Sequence, residues 1–304
     1  HIDAVKRLNP ERILMTGNPL STGGEFYDSH HGARQMYNPI QISAFDTPNV
    51  IEGRVVIPGM VTVEDIEERR AEYGEDSPMY TASVLGEFPD NLDDAIVILR
   101  DALAAQDRSL EPEGTAILGV DVARGGADST VIYRRQGGVA RKVWKAQGRS
   151  LMETAGKVRE LAEEDMAVSA VVIDDVGLGG GVTDRLREVG LPKRVRLVPF
   201  IGWGKPRDAK RFFNAVAEAW WHMRGAFRDG IIDIEDDKPL ISQITTRRYT
   251  LQSDRTVRLE SKGVMKLRGG RSPDEADALA MTFAVRERES MASQGATKKS
   301  SWRD

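Results

Sequence analysis

The sequence predicts an α/β protein whose main unit is a mixed sheet flanked by helices, and three observations carry that prediction. From Thr115 onward, short apolar runs alternate with amphipathic stretches long enough for helices. The first three runs, AILGVDVA, STVIYRR and ARKVWKAQ, are joined only by RGGAD and by Gly137-Gly138, joints short enough for hairpins. The later runs, SAVVIDD and RVRLVPF, are instead separated by helical stretches.

In chain order, residues 1–20 read as a helix end followed by a strand, RILMTGNP, closed by a Gly-Asn-Pro turn. Residues 21–60 read as loops with short strands at TGGEF, PIQISAF, DTPNV and VVIPGM. A charged helix runs from Thr62 to about Tyr73, with Thr62 as N-cap and Asp65 three residues on. Residues 90–114 form a connector with a short amphipathic helix, Asp93–Gln106, and a polar SLEPEG stretch, so a domain boundary is placed there. After the three-stranded meander come a helix from Ser150 to about Glu164, the strand SAVVIDD, and a glycine run from Gly177 to Gly181. The helix VTDRLREVG, stopped by glycine, and the strand RVRLVPF follow. Then come a long helix from Asp208 to about Phe227, the short strand IIDI, a helix around Pro239–Arg248, a hairpin TLQSDRTVRLE, and a final helix from Pro273. That last helix is read with Ser272 and Glu275 as a capping box. The order meander, helix, strand, helix, strand, helix is, by analogy, that of the ribonuclease H-like fold.

Composition bounds the chemistry. The 304 residues contain no cysteine and only four histidines, which excludes disulfides and thiolate metal sites. A metal site would be oxygen-rich and suited to Mg²⁺ or Mn²⁺. No apolar run is long enough to span a membrane, and no signal peptide is expected. There is no G-x-x-x-x-G-K-[ST] loop, so ATP hydrolysis is not expected from this chain alone.

Three carboxylates sit at element edges. Asp121 interrupts the apolar run Ile117–Val122, where 117, 119, 121 and 123 share one strand face. A buried carboxylate there needs a partner, either an arginine such as Arg124 or a metal ion shared with other acids. Asp174 ends AVVID, at the carboxyl end of a strand, where α/β proteins handle ligands; Asp175 on the opposite face is the substitute. The glycines after it let the backbone pass close to something bulky. A dinucleotide fingerprint fails because Val182 stands where its last glycine belongs. Asp277 borders the apolar stripe Ala276, Leu279, Ala280, Phe283 on the inward side, with Asp274 as helper or helix cap. Asp128 is a further candidate ligand, its alternative being a turn aspartate. Together Asp121, Asp174 and Asp277 could hold two ions and hydrolyse a phosphodiester without a covalent intermediate.

Basic residues fall in two clusters, one containing Lys193, Arg194, Lys205, Arg207 and Lys210, the other Arg247, Arg248, Lys262, Lys266, Arg268 and Arg271. A solvated surface is the ordinary reading; beside an acidic site they also suit a DNA phosphate track. Trp220 and Trp221 have the spacing of core residues.

These pieces resemble the large subunit of tailed-bacteriophage terminases. The likeness rests on TGNP, DTPNV, YGEDSPMYTASVLGEFP, GVDVARGGAD, VVIDDVGLGGGVTDRL, the Lys210-to-Trp221 helix, ESKGVMKLRGGRSPDEADALA and their order. The resemblance implies a ribonuclease H-like nuclease domain at 115–290, preceded by a partial P-loop-type ATPase segment at 1–89, a linker at 90–114, and a disordered tail at 291–304. It implies a divalent-metal endonuclease of low sequence specificity that cuts concatemeric viral double-stranded DNA during packaging, with Asp121, Asp174 and Asp277 as the metal-binding acids. ATP would serve the intact protein only. Partners would be DNA, the terminase small subunit and the portal protein, in the host cytoplasm with no membrane. The rival readings are a DNA- or portal-docking module without cleavage activity, and a ribonuclease H-like resolvase or transposase.

Overall fold

The computed structural model describes residues 7–8, 10–19, 24–73, 75, 78–89, 95–123, 129–252, 254, 256–267 and 272–285. Asp128, Arg268, Arg271 and the 291–304 tail lie outside them.

A six-stranded mixed sheet dominates, in the order β5-β4-β1-β2-β3-β6. Its strands are β1 (Ala116–Asp121), β2 (Thr130–Gln136), β3 (Val139–Ala146), β4 (Val168–Asp174), β5 (Arg196–Phe200) and β6 (Asp233–Ile234). β1, β2 and β3 form the expected antiparallel meander, while β4 joins β1, β5 joins β4, and β6 joins β3 in parallel. A separate hairpin pairs β7 (Tyr249–Leu251) with β8 (Val257–Leu259).

Of the helices, α1 (Glu25–His30), α2 (Pro48–Glu52) and α3 (Val63–Tyr73) precede the sheet, followed by α4 (Leu99–Gln106). Next come α5 (Leu151–Glu164), α6 (Gly179–Val189), α7 (Ala215–Arg228), α8 (Lys238–Thr246), α9 (Lys262–Leu267) and α10 (Asp274–Met281). Period-two alternation sorts the two faces of the sheet. Leu118, Val120, Val171 and Ile173 pack with Ala155, Val158, Val182 and Leu186 of α5 and α6. Ile117, Ala170 and Val172 face the other way, onto Ala219 of α7 and Met281 of α10. The helix of the expected connector, α4, places Leu99, Ala102 and Ala105 in the same core as Trp220, Phe227 and Leu279.

Local chemistry sets the boundaries. α5 starts at a complete capping box between Ser150 and Glu153. α6 stops at Gly190, whose φ is 76°. α3 begins as expected, with the Thr62 hydroxyl accepting from the Asp65 N–H at 3.2 Å.

The early segment departs from expectation. Residues 12–19 form no strand, and Ile13 and Leu14 are exposed, with no strand among the described residues pairing with them. In place of strands, residues 24–60 hold α1, α2 and short 3-10 turns, packed around a small core of Ala44, Ile66, Tyr80 and Val84. Buried Asn49 ties the loop after α2, donating to Ile57 and Met60 and accepting from Val56 and Ile57.

Candidate active site

Asp121 and Asp174 are the last residues of adjacent parallel strands, one step beyond the Val120–Ile173 pair. Alternation puts both on the α7/α10 face, with Ile117 and Val172. Asp175 falls on the opposite face, so the two successive carboxylates are divided between the layers.

Two glycines fix the neighbours of these acids. A Cβ on Gly119 would lie 2.0 Å from the carbonyl oxygen of Ala278, so only glycine lets α10 rest directly on β1. That docking carries Asp277, the residue before Ala278, to the strand end. A Cβ on Gly179 would lie 1.5 Å from the carbonyl oxygen of Asp174. The bulky object the glycine run accommodates is therefore the end of β4 itself.

Asp277 is almost fully buried and held from three directions. Its carboxylate accepts from Trp220 Nε1 at 2.9 Å and Arg247 Nη1 at 2.8 Å, and pairs with Lys262 Nζ at 2.6 Å. Arg247 is itself buried and lies over the Trp220 ring at 4.7 Å. The final helix starts at Asp274 with Pro273 as N-cap, and the expected Ser272–Glu275 capping box does not form. Glu275 is drawn inward to Lys145, at 2.5 Å, and Gln243, two partners from remote elements that outcompete a local cap. Asp274 accepts from the Ser129 N–H at 3.2 Å, which ties α10 to the start of β2.

Asp121, Asp174 and Asp277 line one cleft of about 310 Å³, together with Trp203, Trp220, Arg247 and Lys262. Burial pushes the Asp121 carboxyl well above its ordinary range; Lys262 opposes this, and Asp277, Asp274 and Asp174 reinforce it. Asp174 is raised as well, mainly by burial, against the Val176 N–H and Lys262. Asp277 goes the other way: burial raises it, but Lys262 and Arg247 together outweigh that and hold it below the ordinary carboxylate range. Desolvation at the cleft works against the charge of half-exposed Lys262, yet Asp277 and Asp121 keep it firmly protonated.

The donor set suits a hard divalent ion, since the cleft offers carboxylate oxygens and no cysteine or histidine. A positive charge already stands among these acids, the ammonium of Lys262. As the side chains lie, no three His, Cys, Asp or Glu groups among the described residues are close enough to grip one ion. Asp277 is turned toward its cations.

The basic residues divide. Arg247 is spent on Asp277, and Arg194 closes the end of α5 through the carbonyls of Ala162, at 2.6 Å, and Asp165, at 3.2 Å. Lys193, Lys205, Arg207, Lys210 and Lys266 are exposed and Arg248 half-buried. Arg207 also lies 3.5 Å from Glu218. Trp220 is core, as expected, and Trp221 packs partly buried against it. Sequence reasoning passed over Trp203, which stands in the cleft between Gly202 and Gly204; the flanking glycines were the available signal.

No family model matches the chain. It is 27% identical over 285 residues to a probable terminase large subunit of Enterobacteria phage P7, a match covering 88% of this chain and 56% of that protein. The chain thus spans about half the length of the curated relative. Its fold is similar to the nuclease domain of the large terminase subunit gp2 of bacterial virus Sf6, with a TM-score of 0.52 and 22% identity, over 62% of this chain and 98% of the other. A point mutant of that domain, solved with manganese and beta-thujaplicinol, gives a TM-score of 0.53. The mixed sheet with helices on both faces therefore shares its fold with that nuclease domain, in the α/β arrangement that the element order led one to expect.

Proposed function

We propose that the cleft is the nuclease site of a phage terminase large subunit, which cuts concatemeric double-stranded DNA during genome packaging. The observation that carries this reading is convergence: acids far apart in sequence, at the ends of β1 and β4 and on α10, line one cleft. In this reading residues 115–290 are the nuclease domain, 1–89 the end of a packaging ATPase domain, and 90–114 the link between them. ATP, the small subunit and the portal protein belong to the intact protein in the host cytoplasm. Among the described residues no helix is long and apolar enough to cross a membrane.

Asp121, Asp174 and Asp277 would hold Mg²⁺ or Mn²⁺, with Asp274 nearby and Asp128 as a further candidate. Bound there, two such ions supply an activated water and neutralise charge on the leaving oxygen. The protein's own groups prepare the site. Arg247 and the Trp220 N–H fix the orientation of Asp277. Lys262 balances the charge of the acids and stands in the cleft where a phosphate would enter. Lys193, Lys205, Arg207, Lys210, Arg248 and Lys266 serve the backbone without reading bases.

Plasmid cleavage tests this. The chain should cut with Mg²⁺ or Mn²⁺, stop with EDTA, and lose cutting in Asp121→Ala. Cutting that survives chelation or that substitution removes the proposal. One observation favours a second reading: Asp277 is already paired with two cations, as a purely structural carboxylate in a docking module would be. Metal-independent DNA retention without cutting is the outcome that reading requires. A resolvase would instead prefer four-way over linear substrates.

A further inference from the structure

Trp203 is 73% exposed, and it lines the same cleft as Asp121, Asp174 and Asp277. An aromatic side chain of this size is ordinarily buried, and nothing in the packing of the fold calls for it here. Nor is it carried on a loose loop. The turn closes through the Gly204 N–H to the Ile201 carbonyl at 2.8 Å. The start of α7 then clamps it, with the Val216 N–H on Gly202 at 2.8 Å and the Ala215 N–H on Gly204 at 2.9 Å. Further along, buried Glu218 accepts from the N–H groups of Arg207, at 2.8 Å, and Asp208, at 3.3 Å. A Cβ on Gly204 would lie 2.9 Å from the Ile201 carbonyl oxygen, so the tight turn depends on glycine. The indole is thus presented to solvent beside the site on a braced backbone, so the loop itself has little ordering left to do on binding.

We propose that Trp203 is a stacking residue that lies against an unstacked nucleobase next to the phosphodiester entering the carboxylate cleft. The inference rests on the nuclease reading for what the cleft does, and on the loop alone for how the base is held. Three features favour a nucleic acid over a protein partner. The aromatic face stands beside carboxylates suited to cation-assisted phosphate chemistry. Exposed Lys205, Arg207 and Lys210 follow within the same loop, as phosphate contacts beside a base would require. An indole face accepts any base, which agrees with low sequence preference. The exposed edge of Val176 lines the cleft with it and adds apolar surface.

The test uses the whole chain in EDTA, so that binding is read without cutting. A labelled DNA duplex with one central unpaired base, and the same duplex fully paired, are titrated by anisotropy at several salt concentrations, with intrinsic tryptophan fluorescence followed in parallel. Wild type should bind the unpaired-base duplex more tightly, because unstacking there costs less, and DNA should quench a tryptophan signal that Trp203→Phe lacks. Trp203→Ala should lose about tenfold in affinity, lose the preference for the unpaired base, and keep the slope of log affinity against log salt. Trp203→Phe should retain most of the affinity. Unfolding midpoints close to wild type show that both variants are folded. A Trp203→Ala protein with unchanged affinity and preference overturns the proposal, as does quenching in Trp203→Phe as deep as in wild type. Cutting assayed separately in Mn²⁺ keeps the two ideas apart. Stacking without cutting removes the nuclease reading alone; cutting without stacking removes Trp203 alone.

Discussion

Asp277 and Asp174 separate what a carboxylate does for the fold from what it does for chemistry. Asp277 is buried against buried Arg247 at 2.8 Å and half-exposed Lys262 at 2.6 Å. Removing its charge strands the guanidinium without a counterion in a place that water does not reach. Breaking a buried pair in this way costs about 3–5 kcal/mol; the share from Lys262 is smaller because solvent screens it. Asp174 accepts the Val176 N–H at 3.2 Å and makes no ion pair among the described residues. Asp277→Asn should therefore lower stability by several kcal/mol in urea titrations, while Asp174→Asn should stay within about 1 kcal/mol of wild type and still lose cutting. Equal losses of stability from the two substitutions would contradict this division. At the residue scale each acid left a local mark in the sequence: Asp121 interrupts an apolar run, Asp174 ends one, and Asp277 borders the apolar stripe of a helix. Lys262 was legible only as one basic residue among many. Its place beside Asp277 depends on where the β7–β8 hairpin delivers α9, which no local pattern records. Trp203 left still less trace, since an exposed aromatic in a glycine turn has no periodicity.

Among elements, the contact between β1 and α10 decides whether the site assembles. Ala278 can meet β1 only because position 119 carries no side chain. Gly119→Ala forces the helix outward and should cost about 1–3 kcal/mol as overpacking, with a larger loss of cutting, because Asp277 moves with the helix. Gly225→Ala is the control. Gly225 lies within α7 and has nothing within 4 Å of a new Cβ, so it should gain about 0.5–1 kcal/mol from helix propensity. Thermal melts of both, beside cutting rates, check the pair; a stable, active Gly119→Ala would refute the docking argument. The meander, α5, β4, α6 and β5 were legible because their periodicity and caps agree with the tertiary outcome. Two of the misses, at the start of α7 and at Ser272, involve partners from remote elements. α7 starts at Ala215, not Asp208, because Asn214 caps it at 3.1 Å and Phe212 bridges to Val257 of the hairpin. The Ser272 cap fails because Glu275 finds Lys145 and Gln243.

For the whole molecule, the opposite shifts within one cleft make stability and cation binding depend on each other through pH. Asp121 and Asp174 are raised, chiefly by burial. A carboxyl raised above its unfolded value contributes stability that is fully present below the unfolded pKa and is lost as pH rises through the folded one. Asp277 and Asp165 are depressed: burial acts against this, but Lys262 and Arg247 for the first and Arg134 for the second prevail. Their stabilisation is present above the unfolded pKa and lost as pH falls through the folded one. The metal-free protein should therefore be weakened on both sides, in acid by losing Asp277 and Asp165, and toward neutrality by the enforced ionisation of Asp121 and Asp174. A divalent ion binds the deprotonated acids, so its benefit must grow as pH rises. At a hundredfold excess over its dissociation constant it adds about 2.7 kcal/mol, or roughly 5–10 °C in the unfolding midpoint of a domain this size. Melts with and without Mg²⁺ should show almost no shift near pH 4, about that shift near pH 8, and little at either pH in Asp121→Asn. The same shift at both pH values would mean that the ion stabilises the protein elsewhere, and the acidic cleft would lose its claim to the metal.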